Sequence, residues 1–253
     1  MNKPLNHADC LKLAETLGDR PETTIQIHLL RHGFCWAYVV GEPSKFDGVI
    51  IQSKLDPAEP TGYGSDAKVL WSILKSLKDW DCIEVPNECA KELGEIITSE
   101  TGRKVRYYGD VYHALLKPAN RFENEFVRQI TLDDLDLLKS SQEDFRRSCF
   151  DTSERLLTEG FAACAIVSGE IVGVAHTSAR GVKHSDIGVF VAEGYRERGF
   201  ATASASIVAQ KVQEDRQIPV WSAGETNFAS LRVAQKLGFA KLSTMTYVIP
   251  EKS

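Results

Sequence analysis

One stretch of this chain leaves little freedom in how it folds. Residues 189–201 read Val-Phe-Val-Ala-Glu-Gly-Tyr-Arg-Glu-Arg-Gly-Phe-Ala: an apolar run ends at Val191, a polar Gly-containing turn follows, and an Ala/Ser/Ile/Val stripe then opens a helical pattern. A strand that turns into a helix N-terminus gathers unpaired main-chain N–H groups around one point, with the positive end of the helix dipole behind them. Such a point is suited to a phosphate. Gly199 lets the main chain approach an oxygen with no Cβ in the way, and Ala201 is small at the first helical turn. Arg196 and Arg198 add planar guanidinium groups. A plain strand-to-helix turn with solvated arginines is the competing reading of the same residues.

The pattern Arg196-x-x-Gly199-x-Ala201 resembles the acyl-CoA pyrophosphate loop of the GNAT N-acetyltransferase superfamily. A second segment, Asn227-x-x-Ser230-x-x-x-Ala234-x-Lys236-x-Gly238-Phe239, is similar to that superfamily's next helix and the strand after it. Each motif alone is weak; in this order and spacing they reinforce each other. The resemblance covers about 126–250 and implies a mixed α/β sheet fold with acetyl-CoA as cosubstrate. It implies main-chain contacts to the pantetheine arm and thioester from Val189, Phe190 and Val191, on a strand splayed from its neighbour. It places the phosphates at Arg196, Glu197, Arg198, Gly199, Phe200, Ala201 and Thr202. Asn227 would bond the pantetheine arm or orient its helix, a role compatible with an N-cap. Ser230 would face the cofactor or serve as a small helix-packing residue.

Ala234 departs from the pattern: many family members carry a Tyr there that protonates the leaving thiolate. Within the superfamily, Tyr195-Arg196-x-x-Gly199-x-Ala201-Thr202, Pro219-x-Trp221 and Ala234-x-Lys236-Leu237-Gly238-Phe239 resemble a two-domain branch that includes the zwittermicin A resistance acetyltransferases.

The family also needs a base for the substrate ammonium, often an acidic residue on the strand leading into the phosphate turn. Asp186 begins that strand in His184-Ser185-Asp186-Ile187-Gly188 and is nominated as direct or water-mediated base; the alternative is a solvated strand end. His176 and His184 are runners-up, and Glu225 is a further acidic side chain before Asn227. Cys164 lies inside an apolar run, where a thiol is a small hydrophobe and a poor nucleophile. The six cysteines are scattered, without Cys-x-x-Cys pairs or histidines at metal-ligand spacing, so they read as reduced thiols and no metal site is expected.

A polar segment at 117–124, with Pro118, separates two patterned regions, and the domain boundary is placed there: 1–120 and 121–253. In the first half, 9–17 reads as an amphipathic helix and 36–41 with 49–55 as a hairpin. Ser65 caps a helix carrying Val69, Leu70, Ile73, Leu74 and Leu77, and a strand, a helix closed by Gly102 and a strand from 105 follow. The second half reads as a strand at 126–130, helical segments through 157, a hairpin at 161–179, the strand into the phosphate turn, a helix, a strand, the Asn227 helix and a closing strand. The first half thus repeats part of the order of the second. A degenerate GNAT-like duplicate, or convergence on a common αβ layout, accounts for this. Asp56 and Asp66 beside its Gly62 and Gly64 turn argue against CoA binding in that half.

A formal charge of −5 over 253 residues and no long Lys/Arg block exclude the footprint of a nucleic-acid binder. No run approaches the ~20 apolar residues of a membrane span, and 1–20 lacks an apolar signal core, so no membrane association and a cytoplasmic location are expected. The expected protein is an acetyl-CoA-dependent N-acetyltransferase acting on a primary amine of a small molecule by direct attack in a ternary complex, as a monomer or homodimer. The rival expectations are a non-catalytic acyl-CoA-binding regulatory module and a transferase of a bulkier acyl group.

Overall fold

The computed structural model describes residues 3–252. In chain order the first elements are α1 (His7–Leu17), α2 (Thr24–His32), β1 (Cys35–Glu42), β2 (Lys45–Ser53), β3 (Thr61–Tyr63), α3 (Ala67–Leu74), β4 (Ile83–Pro86), α4 (Asn87–Thr101) and β5 (Val105–Ala114). They are followed by β6 (Val127–Ile130), α5 (Leu135–Ser140), α6 (Ser153–Glu159), β7 (Ala162–Val167), β8 (Glu170–Arg180), β9 (His184–Val191), α7 (Phe200–Glu214), β10 (Ile218–Gly224), α8 (Phe228–Leu237) and β11 (Ala240–Pro250). Two compact units result. The first runs to Val111 and includes Ser243 onward; the second is Tyr112–Leu242.

In the first unit, β1 and β2 form the expected hairpin, β3 pairs antiparallel with β2, and β4 lies parallel to β3 through Thr61 and Glu84. The C-terminal strand β11 joins this sheet, antiparallel to β4 from Met245 to Val248, and β5 lies on its other side. Ile50, Leu70, Ile73, Leu74, Ile83, Leu93, Ile97 and Val248 make its core. α2 has no counterpart in the sequence reading because Thr24, Gln26, Ile27, His28, Leu29 and Leu30 are all buried, so the helix lacks the polar face that makes a 3.6-residue period visible. The α3 cap is Asp66, not Ser65: its carboxylate accepts from the N–H groups of Lys68 at 2.8 Å and Val69 at 3.3 Å.

In the second unit the strands run β10-β9-β8-β7-β6, with the end of β5, from Tyr112, beside β10. Ala163, Ala175 and Ile187 face α7 and α8 through Ala205, Val208, Val212, Ala234 and Leu237. The opposite face carries Ala162, Cys164 and Val174 against Leu138, Phe145, Phe150 and Leu156. The β7–β8 hairpin turns at Ser168 and Gly169, both with positive φ, as a tight two-residue turn requires.

These unit limits differ from a division at 120/121 with the C-terminus in the second half. The physical reason lies in the segment 117–124, which is strapped to α7: Gln213 Oε1 accepts from Ala119 N at 2.8 Å, Gln213 Nε2 donates to Lys117 O at 2.8 Å, and Ser206 Oγ accepts from Phe122 N at 3.2 Å. Its polar residues read as a linker from sequence, yet their main chain is satisfied by helix side chains. The last strand joins the first unit by ladder hydrogen bonds to β4, a pairing that no local pattern encodes. The order β1-β2-β3-α3-β4-α4-β5 recurs as β7-β8-β9-α7-β10-α8-β11.

Candidate functional site

The site is built around β9. This strand pairs in parallel with β10 at His184/Ile218, Ser185/Pro219 and Asp186/Val220, and there the pairing stops. β9 continues to Val191 and β10 to Gly224, so the two strands fork. On its other side β9 stays paired with β8 as far as Val191/Gly173. The β8–β9 ladder shifts register between Thr177 and Ala179, opposite Ile187 and Asp186. A bulge increases local twist, and this one lies at the level where β9 leaves β10.

Alternation decides which main-chain groups face the fork. Ala192 N donates to Val172 O at 3.0 Å, so Ala192, and with it Phe190 and Gly188, direct their polar groups toward β8. Val189 and Val191 then direct theirs to the side β10 has vacated. Exposure follows the same division: His184–Ile187 are buried, whereas Gly188–Val191 are partly open. Of the three residues expected to act through main chain, Val189 and Val191 face the fork, and Phe190 packs its ring edge-on against Phe145 at 5.3 Å.

β9 ends in a 3-10 turn at Glu193–Tyr195, and the chain then bends through Glu197 at φ +64° and Gly199 at φ +79° into α7. Left-handed residues in close succession curl the main chain so that its N–H groups converge into an anion-binding concavity. Gly199 is the N-cap of α7, no side chain caps that helix, and its first turn holds no acidic residue. A non-glycine residue in the left-handed region costs about 1–2 kcal/mol, so Glu197 is strained at this point. The Arg196 Nε donates to Val191 O at 3.3 Å, and the Arg198 guanidinium lies 5.1 Å from the Tyr195 ring centre. Arg196, Glu197, Arg198 and Gly199 are exposed, while Phe200 and Thr202 are buried, so these last two can offer only main chain. Asn124 Nδ2 donates to Arg198 O at 3.1 Å and braces the turn, a role that the linker-like composition of 117–124 concealed.

The GNAT acetyltransferase family matches residues 77–248, well over half of the chain. The chain belongs to the GNAT acetyltransferase family. Its fold is similar to a GCN5-related N-acetyltransferase-like protein from Streptococcus suis, at 19% identity and TM-score 0.69 over 96% of this chain and 99% of that one. A GNAT-family protein described as a putative acetyltransferase, from Novosphingobium aromaticivorans, aligns at 15% identity and TM-score 0.59 over 93% of this chain and 100% of that one. A tandem GNAT protein from the clavulanic acid biosynthesis pathway aligns at 14% identity and TM-score 0.55 over 100% of this chain and 99% of that one. Among curated proteins none matches.

In GNAT terms the remaining expected residues are placed as follows. Asn227 caps α8, its Oδ1 accepting from Ser230 N at 3.2 Å. Ser230 Oγ accepts from the Trp221 indole at 2.9 Å, which ties α8 to β10. Ala234 is fully buried among Leu115, Trp221, Leu237 and Phe239. Asp186 is only 5% exposed and sits at the last paired step before the fork, so it is no solvated strand end. His176 and His184 are buried as well, whereas Glu225 is exposed beyond the end of β10. Burial pushes the Cys164 thiol up to about 12. Gly188 escaped the sequence reading, although a glycine inside a strand marks a close approach. A Cβ there would lie 2.5 Å from Ser178 Oγ and 3.1 Å from His176 Cε1.

Proposed function

We propose that this protein is an acetyl-CoA-dependent N-acetyltransferase acting on a primary amine of a small molecule, by direct attack in a ternary complex. The observation that carries the reading is the β9–β10 fork leading into an α7 N-terminus that no side chain caps. Its donors fit an acyl-CoA: converging N–H groups and two arginines at 196–202 suit a pyrophosphate, and the Val189 and Val191 main chain suits the amide-rich pantetheine arm and the thioester carbonyl. The Asn227 cap uses Oδ1, so its –NH2 is the half suited to a further acceptor. Acetyl-CoA supplies the acetyl group as an activated thioester.

Asp186, buried at the base of the fork, is the proposed direct or water-mediated base for the substrate ammonium. A thiol pushed up to about 12 makes Cys164 unsuited to forming an acyl-enzyme, in keeping with direct attack. Rate would come mainly from holding two reactants together and from N–H groups facing the thioester oxygen. The reading extends to a cytoplasmic monomer or homodimer, without nucleic-acid or membrane partners, in the two-domain branch resembling the zwittermicin A resistance acetyltransferases.

One observation favours a second reading. Ala234 occupies the place of the family's acid, which suits a non-catalytic acyl-CoA-binding module; a donor bulkier than acetyl is a variant of the first reading. A CoA thiolate is a tolerable leaving group near neutral pH, so the missing phenol does not exclude turnover.

The test is calorimetric titration with acetyl-CoA and free CoA. Micromolar binding is expected, lost in Gly199→Glu, which adds bulk and negative charge at the turn, and weakened about tenfold in Arg198→Ala, as for loss of one charge-assisted contact. Folded wild-type protein that binds neither ligand would sink the reading. Thiol release with a panel of primary amines then separates transferase from binding module.

A further inference from the structure

The sheet of the second unit ends at β6, and a cavity of about 430 Å³ lies against that edge. Its walls are Glu125, Phe126, Arg128, Leu137, Ile166 and Gly169. Ile166 N donates to Phe126 O at 2.8 Å, which carries the β6–β7 pairing one residue past Val127 and Ala165. Leu137 belongs to α5, and Gly169 to the tight turn between β7 and β8. Small-molecule sites occupy roughly 300–1,000 Å³, so this cavity is of a size to hold one.

Its walls select by charge. Arg128 is already committed: its Nη1 and Nη2 donate to the two carboxylate oxygens of Asp134, and Nη1 also donates to Gln129 O at 3.1 Å. A paired guanidinium has little left to offer an anion. Glu125 is the reverse, an exposed carboxylate with no ion-pair or hydrogen-bond partner among the described residues. The other side chains are apolar: Leu137 and Ile166 are partly buried against the core, and Phe126 is left 44% exposed. A lone carboxylate and an open aromatic ring over an aliphatic floor suit an organic cation, whose charge both groups attract and whose apolar body the floor covers. An anion would meet Glu125, and an uncharged apolar ligand would gain nothing from it.

The same walls reach the phosphate turn. The Phe126 ring lies edge-on to that of Phe200, the first residue of α7, at 6.1 Å between centres. Phe126 N donates to Asn124 Oδ1 at 3.1 Å, and Asn124 Nδ2 donates to Arg198 O at 3.1 Å. An occupant that fixes Phe126 therefore fixes the brace of the turn. A turn already held loses less freedom when phosphates arrive.

We propose that this cavity is a binding site for an organic cation with an apolar body, and that its occupant raises the affinity of the phosphate turn for acetyl-CoA. The cavity stands apart from the transferase reading; only the coupling rests on acetyl-CoA binding at the turn.

The probe is benzyltrimethylammonium, which has no N–H and so cannot be acetylated on nitrogen, with benzyl alcohol as its uncharged counterpart. Methyl NMR locates the binding. The Leu137 and Ile166 methyl signals should shift with a Kd of about 1 mM, the range for so few atoms. Benzyl alcohol should bind about tenfold more weakly, lacking the attraction to ring and carboxylate, and Glu125→Gln should weaken the cation about threefold, as for one exposed charge pair. Methyl shifts confined to other residues, or equal affinity for the two probes, would overturn the site. In calorimetry, saturating probe should raise wild-type acetyl-CoA affinity about fivefold; Asn124→Ala should lose that rise and keep the probe's own Kd. An unchanged acetyl-CoA affinity in wild type overturns the coupling. Wild-type protein that binds the probe but no acetyl-CoA supports the cavity and sinks the transferase reading alone. A sedimenting dimer that Phe126→Asp dissociates would give the cavity to a second copy of the chain and overturn the proposal.

Discussion

Asp186 and Val220 form the last step of the parallel ladder between β9 and β10, and beyond them each strand runs on without the other. Everything the site offers is arranged from that step. The main chain of Val189 and Val191 faces the opening, the turn at 196–199 lies at its far end, and the carboxylate of Asp186 is buried at its root. A fork of this kind withholds hydrogen bonds from the sheet, and main-chain groups so withheld need partners of their own.

Val189→Pro tests the fork without a charge change. The proline removes an N–H that points away from β8, so the ladder to β8 keeps its bonds. We predict that acetyl-CoA affinity falls about 5- to 10-fold, the value of one hydrogen bond, while the far-ultraviolet dichroism remains that of the wild type. Unchanged affinity in calorimetry would remove Val189 from the site.

The first unit carries a counterpart of the turn that is closed by its own side chain. Gly64 has φ +138°, and Asp66 holds the Lys68 and Val69 N–H groups at the start of α3, where α7 has only Gly199. A carboxylate already occupies the place a phosphate oxygen would take. Asp66→Ala should cost about 1 kcal/mol of stability for the lost cap, seen as a lower Tm. Acetyl-CoA titration should still show a single site per chain at wild-type affinity; a second site in either protein would contradict this.

Much of this was legible in the sequence because it is local. The strand, turn and helix at 189–214 each have a short-range cause: an apolar run, a glycine at positive φ, a small-residue stripe. The Asn227 cap and the positive-φ Gly238 at the end of α8 are of the same kind. What escaped depends on partners distant in the chain. Asp186 reads as a strand end because His184 and Ser185 are polar, yet those residues are buried with it as part of β9. β11 joins the sheet of the first unit through Met245–Val248, and residues 117–124 are held by Gln213 and Ser206; neither fact follows from composition. The close packing of Ser178 and His176 over Gly188 requires the bulge at Ser178, and a one-residue register shift has no sequence period of its own.

The His176 ring makes stability depend on pH in a stated direction. Burial sets its folded pKa below the ordinary 6.5. As pH falls below about 6.5 the unfolded chain takes the proton first, so stability is lost from there down to the folded pKa and the contribution is flat below it; each unit of separation is worth about 1.4 kcal/mol. Melting temperatures measured between about pH 8 and pH 5 should fall more steeply for wild type than for His176→Gln, which has no ring to protonate. Parallel curves would mean that His176 titrates alike folded and unfolded.

Ala234 is the position where the chain departs from the family's phenolic acid, and its surroundings explain why the phenol cannot simply be restored. It is fully buried and packs with Leu115, Trp221, Leu237 and Phe239, with the Trp221 and Phe239 rings edge-on at 5.6 Å. A tyrosine there must displace close-packed side chains, at a typical cost of about 1–3 kcal/mol. It must also bury a hydroxyl beside an indole whose N–H is already committed to Ser230. We predict that Ala234→Tyr lowers Tm and leaves kcat for acetyl transfer unimproved. A stable Ala234→Tyr protein with a raised kcat would show instead that α8 can turn this position toward the fork, and that thiolate departure limits the wild-type rate.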